Sequence, residues 1–156
     1  IRMLEFQDVA ETIQLGDLVI RRKQLNHPQS GSAYLLEANG RTFGYCTDNE
    51  LYSPDNCFTS LSQWRRFFQG VDLLIHDAQY VPSDFPMKSG WGHSSYQEVV
   101  ELALAAEVKH LSLFSHDHRR TDLEIEDMLD KVNRQVEIAG SELKITIARE
   151  QETIVL

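Results

Sequence analysis

Apolar residues recur along this chain in two rhythms: short alternating stretches, and longer ones in which they return every three or four positions. Segments 2–6 and 17–24 predict strands, followed by a loop at Asn26-His27-Pro28-Gln29-Ser30-Gly31. Segments 32–37 and 41–46 flank Ala38-Asn39-Gly40, and an Asn-Gly between apolar runs predicts a tight hairpin, because both residues tolerate positive φ. A short helix is expected over 61–68, with Trp64, Phe67 and Phe68 on or near one face. The apolar run 71–75 predicts a strand, and a Pro-punctuated loop covers 80–92. Ser94/Gln97 and Ser95/Glu98 both fit a capping box, opening a helix that carries Val99, Val100, Leu102, Ala103 and Ala106. A strand at 110–115 follows. Thr121 and Glu124 form another box before a helix striped by Ile125, Met128, Leu129, Val132 and Val136. Two final strands are expected at 143–148 and 153–156. No repeat or linker divides the chain, so residues 1–156 read as one mixed α/β domain.

Three of these strands end in an acid or a histidine. The run Thr42-Phe43-Gly44-Tyr45-Cys46-Thr47 stops at Asp48, the run Leu73-Leu74-Ile75 at His76-Asp77, and the run Leu113-Phe114-Ser115 at His116-Asp117-His118. Open α/β sheets place their sites beyond the carboxyl ends of strands, and Asp and His are donors that zinc, manganese and iron accept. Each residue also has a plainer reading. Asp48 is either a bridging carboxylate or a turn-starting Asp. His116 is a ligand or a loop histidine. His76 and Asp77 are structural groups or orient a ligand. His93, in Gly90-Trp91-Gly92-His93-Ser94-Ser95 just before a helix, suits a general acid or a phosphate contact. His27 lines the same cleft or shapes a turn. His118 and Arg119 read as solvated loop, and His110 as exposed.

Composition narrows the field. A formal net charge of −9 disfavours non-specific attraction to nucleic acid or anionic lipid. No apolar run approaches the ~20 residues of a membrane span. Two cysteines, Cys46 and Cys57, cannot form a disulfide framework and suggest free thiols in a reducing cytoplasm. The first residue is Ile1 rather than Met, which suggests a piece of something longer.

Together, five segments resemble the carboxyl-terminal half of a metallo-β-lactamase-fold hydrolase, in the phosphodiesterase branch that includes the tRNA 3′-processing endonucleases. They are Leu25-Asn26-His27-Pro28, Gly44-Tyr45-Cys46-Thr47-Asp48, Leu74-Ile75-His76-Asp77-Ala78-Gln79-Tyr80, Gly90-Trp91-Gly92-His93-Ser94-Ser95 and Leu113-Phe114-Ser115-His116-Asp117. The resemblance implies an αββα sandwich of which this chain supplies mainly the second half, a mixed sheet with flanking helices. It implies two divalent ions, zinc first and manganese or iron as alternatives. Asp48 would bridge them, His116 would ligate one, and His93 would assist the leaving oxygen or steady the phosphate. His76 and Asp77 would support the site.

The family's H-x-H-x-D-H signature is absent from these residues. The expectation is therefore a phosphodiester hydrolase using a metal-activated water, its binuclear site completed by residues upstream of this chain or by a partner chain. A homo-oligomer and a small phosphodiester substrate are expected. Two alternatives stand beside it: a non-catalytic half-fold that pairs with a partner, and a thioester or lactone hydrolase of the same fold.

Overall fold

The computed structural model describes residues 11–156, so the strand expected at 2–6 lies outside the described residues. Seven strands form one sheet in sequence order: β1 (Thr12–Leu15), β2 (Leu18–Gln24), β3 (Ser32–Ala38), β4 (Arg41–Cys46), β5 (Leu73–Asp77), β6 (His110–Phe114) and β7 (Lys144–Ile147). β1 to β4 are an antiparallel meander; β4 to β7 run parallel. The Asn39-Gly40 hairpin is present, with both residues at positive φ. β1 was not foreseen from the pattern. Gly16-Asp17 makes a two-residue turn that pairs Leu15 with Leu18, so Asp17 belongs to the turn rather than to the strand.

Parallel neighbours need crossovers, supplied by α1 (Leu61–Phe67), α2 (Tyr96–Ala105) and α3 (Asp122–Ile138). Each crossover steps one strand in the same direction. Right-handed connections then put all three helices on one face, and α2 packs against both α1 and α3. Of the two boxes available at α2, Ser95 with Glu98 is the one used.

The core lies between that helical layer and one side of the sheet. Alternation sends Ala33, Leu35, Cys46, Leu74, Leu111, Leu113 and Ile145 into it, against Trp64, Phe68, Val99, Val100, Ala103, Val132 and Val136. Gly44 is required in this layer because a Cβ there would lie 2.9 Å from Leu74 Cδ1 and 3.0 Å from Phe68. Cys46 is wholly buried, and burial first, then Asp77 and Asp48, raise its thiol pKa well above the ordinary value. It packs as a core residue, in surroundings that disfavour the reactive thiolate.

Among the described residues, no helix packs on the opposite side of the sheet. Tyr34, Leu36, Phe43, Tyr45, Ile75 and Phe114 alternate onto it, and Tyr45 and Phe114 stay exposed. The strand expected at 153–156 does not form. The apolar run instead lies over this face, where Ile154 and Leu156 join Phe43, Leu73 and Ile75 around a cavity of about 300 Å³. Its hydrophobic pattern reflects contact with a sheet face rather than strand pairing.

At the amino ends of the parallel strands, Asp72 ties three segments together. Its Oδ2 accepts from the Thr42 amide at 2.8 Å and the Thr42 hydroxyl at 3.0 Å, and Lys109 Nζ reaches Oδ1 at 2.8 Å. The bond from Lys109 outweighs partial desolvation and, helped by Thr42, lowers the Asp72 pKa to about 2. A depressed folded pKa means stability that is present above the unfolded value and lost as pH falls through the folded one. Asp72→Asn is expected to unfold about 1–2 kcal/mol more easily near neutral pH, after allowance for solvent screening. That difference should shrink as the pH falls through about 2 and vanish below it, in urea titrations across pH.

Candidate active site

The site forms where β4, β5 and β6 end. In the parallel register Cys46 lies beside His76, and Asp77 beside Phe114. The three strand ends, and the residues just past them, therefore share one rim of the sheet. At that rim Asp77 is fully buried and makes the central connections. Its Oδ1 accepts from the Asn49 amide at 3.0 Å, and its Oδ2 from the Ser94 amide at 3.2 Å. His93 Nδ1 lies 3.2 Å from the same Oδ2. A carboxylate only accepts, so Nδ1 carries the proton and Nε2 is left as the free ring nitrogen.

Burial by itself would lower the His93 pKa. The hydrogen bond and charge of Asp77, with Asp48 and Glu50 adding, raise it above the ordinary 6.5. Asp48 approaches from the other strand end, its Oδ1 3.8 Å from His93 Nδ1, and its side chain is about half exposed. Its φ of +56° is a left-handed conformation that Asp tolerates, and it turns the chain sharply as β4 ends. The rings of His27 and Tyr80 stand edge-on to His93, at centroid distances of 5.5 and 5.8 Å. His27 also shapes its turn, since its Nδ1 accepts from the Gln29 amide. His27 therefore both shapes its turn and stands against the His93 ring.

His76 points to the helix side of β5 and is fully buried. Its Nδ1 donates to the Asp77 carbonyl at 2.8 Å, and burial lowers its pKa. It stiffens the end of β5, and no hydrogen bond or ring contact joins it to His93. His116 lies one strand over, beyond β6, and no hydrogen bond or ion pair joins it to Asp48 among the described residues. Its half-buried ring has two enclosed nitrogens without a well-formed hydrogen bond. Desolvation lowers its pKa from the ordinary 6.5 and so favours the neutral ring, and Arg120 adds to that, although the Ala78 and Leu113 carbonyls work the other way. A neutral imidazole with an uncommitted nitrogen is the form that binds a divalent cation.

Asp48 and His116 thus have the donor chemistry of metal ligands. Among the described residues, however, no three His, Cys, Asp or Glu side chains gather as a metal-holding group. A four-coordinate zinc needs more donors than these two. Among the described residues, Asp48 and His116 therefore offer two donors and no complete set.

The other histidines are peripheral. His118 is nearly fully exposed and Arg119 pairs with Asp117, as expected of solvated loop. His110 is half-buried rather than exposed, because its Nε2 pairs with Thr146 Oγ1 on β7 at 2.9 Å.

Several supporting residues were not singled out from the sequence. Ser94 donates to the Asn49 carbonyl at 2.6 Å and accepts from the Leu51 amide. Asn26 uses its whole side chain to tie the segment before His27 to Glu50 and Thr59. Tyr80 extends the line of β5 by bridging to Ser95. Polar loop residues carry no periodic signal, so only the placement of Ser94 beside His93 hinted at a role.

Residues 7–116 match the family model described as the beta-lactamase superfamily domain, and the chain belongs to that family. A ribonuclease Z of Gloeothece citriformis is 34% identical over 107 residues, which is 68% of this chain and 28% of the relative. The metallo-beta-lactamase fold protein YhfI of Bacillus subtilis superposes with a TM-score of 0.65 at 19% identity, over 88% of this chain and 48% of that one. Zn(2+)-bound PqqB from Methylobacterium extorquens gives 0.63 at 17% identity, over 94% and 53% respectively. The chain therefore has the metallo-β-lactamase fold and spans about half the length of these structures. Against the curated relative the matched share is nearer a quarter.

Asp77→Asn is expected to lower the His93 pKa, read by NMR titration of its ring signals. A raised folded pKa gives a stability contribution that is complete below about pH 6.5 and is lost as pH rises through the raised value. The variant should therefore lose stability more at pH 6 than at pH 9. An unmoved His93 titration would show that the pairing with Asp77 is not what holds the proton.

Proposed function

We propose that this member of the beta-lactamase superfamily is a metal-dependent hydrolase of small phosphodiesters, its binuclear site completed by residues outside this chain. The observation that carries the reading is the His93–Asp77 pair at the rim where Asp48 and His116 also lie. The similarity to a ribonuclease Z supports phosphodiester chemistry. Zinc is the favoured metal, with manganese or iron as alternatives, and the zinc held by a structural neighbour supports that choice. When bound, the ions would place positive charge on the phosphate oxygens and make a nearby water more acidic.

The chain's own residues do the rest. Asp77 fixes the tautomer and aim of His93. The protonated imidazole then offers Nε2–H to the oxygen that leaves phosphorus. As the P–O bond breaks, that oxygen takes the proton, and the ring recovers one from water. Burial opposes the charge on His93, but Asp77 shifts its pKa upward, which favours the protonated ring that the donor role requires. Asp48 and His116 would hold metal. His27 and Tyr80 wall the ring and limit its rotation, while His76 braces the end of β5.

A charge of −9 favours a small nucleotide or phosphonate ester over structured RNA. The helix-free face of the sheet fits a second β-layer, supplied by an upstream segment or a partner chain within a homo-oligomer. The two unpaired cysteines suit a cytoplasmic protein, and no helix among the described residues is long and apolar enough to cross a membrane.

A second reading, a non-catalytic half-fold that binds through a partner, is favoured by the lack of a three-donor group among the described residues. Metal content of the purified intact protein separates the two: about two equivalents support the enzyme, and none after reconstitution supports the module. In the enzyme, His93→Ala should cut turnover of bis-p-nitrophenyl phosphate by about 10²- to 10⁴-fold with metal content unchanged. Unchanged turnover would remove His93 from the mechanism, and loss of metal would make it a ligand.

A further inference from the structure

The backbone that carries His93 is gripped on both sides by buried carboxylates, and only one of them touches its ring. After His93, the Ser94 amide donates to Asp77. Before it, the Gly92 amide donates to Glu50 Oε2 at 2.9 Å, and the Gly90 amide to Glu50 Oε1 at 2.8 Å. Glu50 is 2% exposed, so its charge has been taken out of water and both oxygens are met by backbone amides.

Its own backbone is fixed as well. The Glu50 amide donates to the Asn26 carbonyl at 3.0 Å, and its carbonyl accepts from Asn26 Nδ2 at 3.1 Å. Through its backbone and its carboxylate, Glu50 therefore joins three segments: the loop after β4 that holds Asp48, the loop that holds His27, and the glycine loop that leads into His93.

The glycine loop needs such a hold. Gly90 and Gly92 sit at φ +83° and +89°, a region open to glycine at little cost but easily left again. A Cβ on Gly92 would lie 2.2 Å from His27 Cδ2 and 2.8 Å from Pro28, so the backbone passes directly against the imidazole that flanks His93. Two amides bound to one carboxylate, two residues apart, fix both the curvature of this loop and its distance from β4.

We propose that Glu50 is a positioning residue for His93, a two-oxygen clamp on the Gly90–Gly92 loop that sets where the imidazole stands over the strand ends. This inference rests on the reading of His93 as a reacting group. Glu50 acts through the loop and touches no substrate. A displacement of about 1 Å in a reacting group costs up to ~100-fold in rate, so a loosened loop is expected to show in kcat before it shows in folding.

The test pairs two measurements on Glu50→Gln, which keeps the size of the side chain but offers one acceptor in place of two, with Glu50→Asp as the second variant. In the first, hydrogen exchange of the Gly90 and Gly92 amides is followed by NMR, with Leu111 and Leu113 in β6 as internal references. In the second, kcat and KM for bis-p-nitrophenyl phosphate are measured in the intact metal-loaded protein. The expected result is exchange at Gly90 and Gly92 faster by about tenfold or more, with the β6 amides unchanged. It should be accompanied by kcat lower by about 10- to 100-fold at nearly constant KM.

Unchanged exchange at both glycines, or accelerated exchange with unchanged kcat, overturns the proposal. So does a loss of protection shared equally with β6, or failure of both variants to fold, since Glu50 would then serve the fold as a whole. If the unsubstituted protein does not turn over the ester, the phosphodiesterase reading fails. The exchange data then decide the clamp by themselves, together with the shift of the His93 ring signals in Glu50→Gln.

Discussion

A carboxylate with no access to water must find its hydrogen bonds inside the protein, and Asp77 finds three of them on two segments distant in sequence. The loop after β4 gives the Asn49 amide, and the stretch leading into α2 gives both the His93 ring and the Ser94 amide. Each of these would cost free energy if left unpaired in the interior. The carboxylate is satisfied in this way only when both segments sit at the end of β5. The same atoms that complete the fold at this rim therefore also aim the imidazole, so site geometry and local stability are coupled.

The two faces of the sheet divide the labour differently. Three crossovers stepping the same way put α1, α2 and α3 on one side, where Trp64, Phe68, Val99, Val132 and their neighbours close the core. The other side keeps Phe43, Tyr45, Ile75 and Phe114, covered in part by the apolar run near the carboxyl end. The sheet end that carries Asp48, Asp77 and His116 borders both faces. A layer packed on that second side would approach the rim from the direction opposite α2.

Much of this was legible beforehand, because periodicity and turn chemistry are local. The Asn39-Gly40 hairpin, the Thr121–Glu124 box and the apolar stripe of α3 each announce themselves within a few residues, and the structure has all three. The segment 153–156 misled because an apolar run has the same composition whether it pairs with a strand or lies on a sheet face. Gly16-Asp17 was passed over, although a two-residue turn between apolar runs is a hairpin signal.

For the site, the sequence alone determined which residues stand at strand ends and that they carry oxygen and nitrogen donors, since a strand's end and its chemistry are both written locally. Only the tertiary structure decided their partners. The parallel register set Asp77 level with the end of β6 and Cys46 beside His76. Turns at positive φ brought Asp48 and the Gly90–Gly92 loop to the same rim. His76 and Asp77, adjacent in sequence, ended on opposite sides of β5, one braced in the core and the other against His93. Alternation along a strand predicts that split, but which side holds the site depends on where the helices pack, and that is fixed by contacts between residues far apart in the chain.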